Sequence, residues 1–211
     1  LFSEIKPLLL EELFNKRYPQ HPRFTQQITR NNIKGEFNAA LREVLQKNGV
    51  QALFANARSV LNALELIDAE GNLSTAGSPV TQEIIQIARD HQGANVDVTE
   101  LLERFSGEPY GYDHLMTAFV IVMLTYNGEI SLRAAGGKVI SSSEVRDLFG
   151  TGLEAFENIR YLALESEISP EPLIKLFTAL EISPDITGKL RATGKRGEAV
   201  QGFRTRYLEL Q

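Results

Sequence analysis

Apolar residues recur at helical spacing through most of the chain. Over 32–48, Ile33, Phe37, Ala40, Leu41, Val44 and Leu45 form one stripe, with Lys34, Glu36, Arg42, Glu43 and Lys47 outside it. Gly49 closes that helix, as a glycine just past a helix end does. The pattern repeats over 51–66 through Leu53, Ala57, Val60, Leu61 and Leu64. At the start, 1–18 reads as an amphipathic helix with Leu8, Leu9, Leu10, Leu13 and Phe14 on its apolar side. Pro19 and Pro22 end it. This helix is expected to pack on a neighbouring region.

The run 68–75 (DAEGNLST) is a turn with a short extended piece. Ser78 and Pro79 then open a helix, serine as cap and proline in the first turn, with Ile84, Ile85, Ile87 and Ala88 on its buried side. Asp97 and Glu100 have capping-box spacing before a helix to Phe105, which Gly107 and Pro109 break. Positions 113–126 form a nearly all-apolar helix. Asn127-Gly128 turns the chain into a hairpin, Ile130 and Leu132 going out and 138–141 returning. Ser141 and Glu144 cap a helix to Phe149, and 151–165 is read as helical. Ser169-Pro170 starts a helix with Leu173, Ile174, Leu176, Phe177 and Leu180 as its core. Ser183-Pro184 begins a short turn, and 197–210 closes the chain as a helix.

The order over 78–141 is helix, extended piece, helix, helix, hairpin, which is the order of a winged helix. The expected fold is therefore mainly α. It has a central winged-helix-like unit (three helices plus a β-hairpin) and a C-terminal helical part. The expected segments are an N-terminal helix and linker (1–30), a helical pair (31–77), the winged-helix-like unit (78–142) and the C-terminal part (143–211).

Composition changes this picture little. The chain has 211 residues, 43% hydrophobic and 23% charged, enough to bury a core. The formal net charge of -5 argues against a nucleic-acid surface over the whole chain. Without cysteine there is no disulfide, thiolate nucleophile or cysteine-held zinc, which fits a cytoplasmic setting. The longest apolar run, Ala118 to Leu124, is far short of the roughly 20 residues of a membrane span. The chain starts at Leu1 and its first methionine is Met116, which points to a piece of a longer protein.

Charge decides how the winged-helix order is read. A DNA-reading third helix needs side chains that reach bases and phosphates. Between Arg104 and Arg133 there is no lysine or arginine, so the 113–126 helix belongs in a core. Arg133 and Lys138 place two cations on the wing. Lys189, Arg191, Lys195 and Arg196 belong to a basic C-terminal cluster. Tyr110 and Tyr112, in Pro109-Tyr110-Gly111-Tyr112, either form a recognition surface or cover the start of the apolar helix. These eight residues are the candidate contacts for a protein partner or nucleic acid.

No enzyme site emerges. The run 188–196 (GKLRATGKR) has five residues between its glycines, not four, and Arg196 where a P-loop needs serine or threonine. Gly150 to Ala155 fits a relaxed dinucleotide fingerprint but follows a helix, not a strand. His21, His91 and His114 lie apart, with no partner at metal-ligand spacing. The expectation is no catalytic residue, no cofactor and no metal.

The run 109–137, PYGYDHLMTAFVIVMLTYNGEISLRAAGG, resembles a segment of the very large P-loop ATPases of bacterial phage-defence operons, the BREX and Pgl type (BrxC/PglY-like). There a Pro-Tyr-Gly turn leads into an apolar helix and then a short strand ending in basic and small residues. The 17–24 run RYPQHPRF and the C-terminal part are similar in style. The resemblance implies a helical, winged-helix-containing region of such an ATPase, with the ATPase residues elsewhere in the parent. The function expected is a non-catalytic scaffold or docking module that binds proteins or other domains of its parent, with no membrane partner. The alternative is a nucleic-acid-binding module using the wing and the basic C-terminal cluster.

Overall fold

The stripe over 32–48 folds as α2 (Ile33–Lys47), and every apolar member of it is buried. The computed structural model describes residues 2–47, 49–50, 52–91, 94–164, 176–179, 181–183, 199 and 202–203. Before α2 lies α1 (Phe2–Arg17); after it come α3 (Ala55–Ala63), α4 (Pro79–Asp90), β1 (Val96–Asp97), α5 (Val98–Ser106) and α6 (His114–Tyr126). The hairpin is β2 (Ile130–Ala134) and β3 (Val139–Ile140). A short α7 (Val145–Phe149), a 3-10 helix (Leu153–Asn158) and β4 (Ile159–Leu164) follow. The fold is mainly helical with a small antiparallel sheet.

α6 is the centre of the packing. Every residue from Met116 to Thr125 is buried, so no face of this helix is left for a ligand. Phe119 meets Phe37 of α2 edge to face with ring centroids 5.2 Å apart, and Phe24 packs on Phe37 at 6.0 Å. Asp113 starts α6, its side chain accepting from the Leu115 N–H at 2.9 Å. Asp97 caps α5 in the same way through the Thr99 N–H at 2.7 Å. Ser78 departs from expectation. It occupies the cap position of α4, but its hydroxyl makes no capping bond and is buried without a partner. The helix expected over 51–66 is shorter at both ends: Phe54 is extended and α3 starts only at Ala55, and the chain leaves it at Leu64 to turn through Glu65 at a φ of 56°.

The larger correction falls at 151–165. Within it, Leu153–Asn158 is a 3-10 helix and Ile159–Leu164 a strand. β4 lies inside a four-stranded sheet of order β1-β4-β2-β3, paired antiparallel with both β1 and β2. The expected hairpin is present, with Leu132 opposite Ile140 and Arg133 opposite Val139. Its sheet, however, is built from residues on both sides of position 142.

The 3-10 helix is tied to α2 by Asn38. Its Oδ1 accepts from the Leu153 N–H at 2.8 Å, and its Nδ2 donates to Glu154 at 3.1 Å. In the C-terminal part, Phe177 is buried and stacks on Phe203 at 5.3 Å, whereas Leu176, also expected in the core, is exposed. The remainder of the two expected C-terminal helices lies outside the described residues.

Candidate docking site

The Pro-Tyr-Gly-Tyr turn is a receptor for the chain's own N-terminal segment. Three backbone bonds shape it: Tyr110 N–H to Gly107 O at 3.1 Å, Gly111 N–H to Gly107 O at 2.9 Å and Tyr112 N–H to Phe105 O at 2.8 Å. Both tyrosines point inward and are buried. Tyr110 packs on Phe105 with centroids 5.0 Å apart and donates its hydroxyl to Glu83, whose carboxylate also accepts from Arg104 Nε at 2.6 Å. Burial, and then the Glu83 bond, push the Tyr110 phenol up to about 12. Burial also raises Tyr112. Both rings cover the start of the apolar helix, and little of either is left in solvent.

The segment after α1 closes over this turn. Gln20 donates its N–H to Pro109 O at 3.1 Å, and His21 Nδ1 lies 3.2 Å from Tyr110 O. Because a carbonyl only accepts, Nδ1 carries the proton. The imidazole sits between Phe14 and Tyr112, edge to face at 4.9 and 6.4 Å. Tyr18 lies against Gly111, with no room for a Cβ between them. Arg17 and Glu108 meet at 2.7 Å, but both are largely exposed and the pair adds little. The C-terminal end of α1 is thereby fixed to the domain. Further along α1, Leu9, Leu10 and Leu13 are 53%, 56% and 54% exposed.

Beside the latch is a cleft of about 370 Å³ between the 19–23 turn, the end of α3 and the start of α4. His21, Arg23, Glu65, Ser78 and Tyr112 are among the residues lining it. Among the described residues no three of His, Asp or Glu gather as a metal-binding group. No described helix is long and apolar enough to cross a membrane.

Burial holds the His21 pKa below its ordinary value of 6.5, against backbone contacts that raise it. A histidine kept neutral in the folded state favours folding least where the unfolded chain takes up a proton. The latch should therefore have its full strength above pH 6.5 and weaken as pH falls from 6.5 through the lowered native value. An NMR titration of the His21 ring checks this: a midpoint at or above 6.5 would rule out the burial account.

The other candidate contacts are dispersed. Arg133 lies half-buried on β2, and Lys138 is exposed in the hairpin, 3.8 Å from Glu144. Lys189, Arg191, Lys195 and Arg196 lie outside the described residues. Sequence reasoning missed His21 as the link between α1 and the turn, since the two partners are 89 residues apart.

A mainly helical domain with a small sheet and a latched N-terminal helix is the class these features define. Residues 33–164 match the family described as Family of unknown function (DUF6079) 4th domain, and the chain belongs to that family. The match runs from the start of α2 to the end of β4, leaving α1 outside. No curated protein and no solved structure matches the chain.

Proposed function

We propose that this chain is a non-catalytic docking module of a larger multidomain protein and that α1 is the face it offers to a neighbouring domain. The observation that carries this is the row of Leu9, Leu10 and Leu13, each more than half exposed on a helix anchored through Phe14, Tyr18 and His21. A contiguous apolar patch that remains in water marks an interaction surface. The family description, which numbers this unit as a fourth domain, supports a place beside other domains. The likeness of 109–137 to the phage-defence ATPases supports a parent of that kind, with nucleotide chemistry in its other domains. The order α4-β1-α5-α6-β2-β3 supports a winged-helix-like ancestry turned to packing, since α6 is buried from Met116 to Thr125.

The test compares hydrogen exchange across 9–14 in the 211-residue chain and in the longer parent. Exchange in the parent should be slower by about tenfold or more, a protection of about 1.4 kcal/mol. Substituting Leu9→Asp together with Leu13→Asp should remove that protection and leave the melting temperature of the 211-residue chain unchanged. Equal exchange in both proteins would refute the proposal, as would self-association of the chain through this face alone.

A further inference from the structure

Arg133 occupies a costly position. Its Nε is buried with no hydrogen-bond partner, and no carboxylate among the described residues pairs with its guanidinium. Leaving a buried donor unsatisfied is unfavourable, and such a group calls for a reason. The sheet register shows what surrounds it. Val139, Arg133, Tyr161 and Asp97 lie opposite one another across β3, β2, β4 and β1, and residues directly opposite share a face. The next row, Ile140, Leu132, Leu162 and Val96, is buried and faces the core. The Arg133 row is therefore on the outer face. That face is closed farther along, where Ser131 and Ala163 are buried, and open at the hairpin end, where Val139 is 43% and Tyr161 42% exposed.

An exposed phenol ring thus stands beside a guanidinium that has no anion among the described residues. Lys138 adds a cation at the rim, its contact with Glu144 being long and solvated. The Asp97 carboxylate at the far end of the row is engaged by the Thr99 N–H. A flat ring to stack on, beside a guanidinium that no described carboxylate neutralises, complements bases and phosphates of an unpaired strand. A duplex would need an element to enter a groove, and α6 is buried. We propose that the outer face of the sheet at Arg133 and Tyr161 binds single-stranded nucleic acid, a base stacking on Tyr161 and a phosphate on Arg133. This surface is separate from the α1 row and does not depend on it.

The experiment is fluorescence anisotropy of the 211-residue chain with a labelled oligothymidine of about 12 nucleotides, at about 50 mM salt and above. Binding should weaken with salt. Tyr161→Ala should weaken it about tenfold and Tyr161→Phe by less than about twofold, with unchanged melting curves. Arg133→Gln should weaken binding and flatten its salt dependence. The Leu9→Asp, Leu13→Asp chain should bind the strand as before, so failure here and failure of the docking proposal are distinguishable. No binding at low salt, tighter binding of a duplex of the same length, or equal binding by Tyr161→Ala would overturn the proposal. So would binding of an acidic peptide in place of the strand.

Discussion

Phe119→Ala is expected to lower the unfolding free energy by about 3–5 kcal/mol, the range for removing a buried aromatic ring. Phe119 is fully buried at the middle of α6, and its ring edge meets Phe37 of α2. The loss has two parts. The ring's apolar area leaves a cavity that close-packed neighbours fill only partly, and the edge-to-face contact, worth about 0.5–1.5 kcal/mol, disappears. Domain stabilities are about 5–15 kcal/mol, so the variant should be marginal near body temperature. Urea unfolding followed by circular dichroism measures it. A loss below about 1 kcal/mol would mean that α6 is not the packing centre, and the case for reading 113–126 as core would fall with it.

The sequence pattern is most legible where burial follows one period over a long stretch. The α2 stripe, the apolar run of α6, the Asn127-Gly128 turn and the hairpin all have such local signals. β4 hides for a physical reason. In Ile159–Leu164 the buried positions are Ile159, Leu162 and Ala163, a spacing of three and four that imitates a helix. The sheet produces that spacing through an irregularity: Arg133 opposes Tyr161, but the next residue, Ala134, opposes Ile159. The period of two is broken inside the strand, so periodicity alone points the wrong way.

The candidate site is legible in part. Pro109–Tyr112 stands out because two tyrosines flank a glycine, yet nothing local says whether such rings turn in or out. What turns them in is non-local: Glu83 and Phe105 take Tyr110, and His21 packs on Tyr112. The apolar side of α1 shows the opposite limit. Its leucines are at helical spacing, but spacing specifies only that a stripe exists. It does not say whether the domain itself or a neighbour covers it.

Gly111→Ala should release α1 while the core stays folded. Gly111 has a φ of +62°, where alanine is disfavoured by roughly 1–2 kcal/mol. A methyl group there would also come within 2.7 Å of Tyr18 Cδ1 and Cγ, closer than carbon atoms pack. The clash falls on a side chain of the N-terminal segment, so the easiest relief is to lift Tyr18, and with it His21, away from the turn. Hydrogen exchange across 9–21 should then rise by about tenfold or more, with α2 and α6 unchanged. The His21 ring should return toward its ordinary pKa of 6.5 as it leaves its buried site. Gly128→Ala separates the two effects. Gly128 has a φ of +76°, and nothing lies within 4 Å of where an alanine methyl would sit, so this position carries the backbone strain without the clash. The substitution should cost roughly 1–2 kcal/mol and leave α1 docked. If both variants leave exchange at 9–21 unchanged, Tyr18 is not seated on Gly111, and the latch is not what holds α1 to the domain.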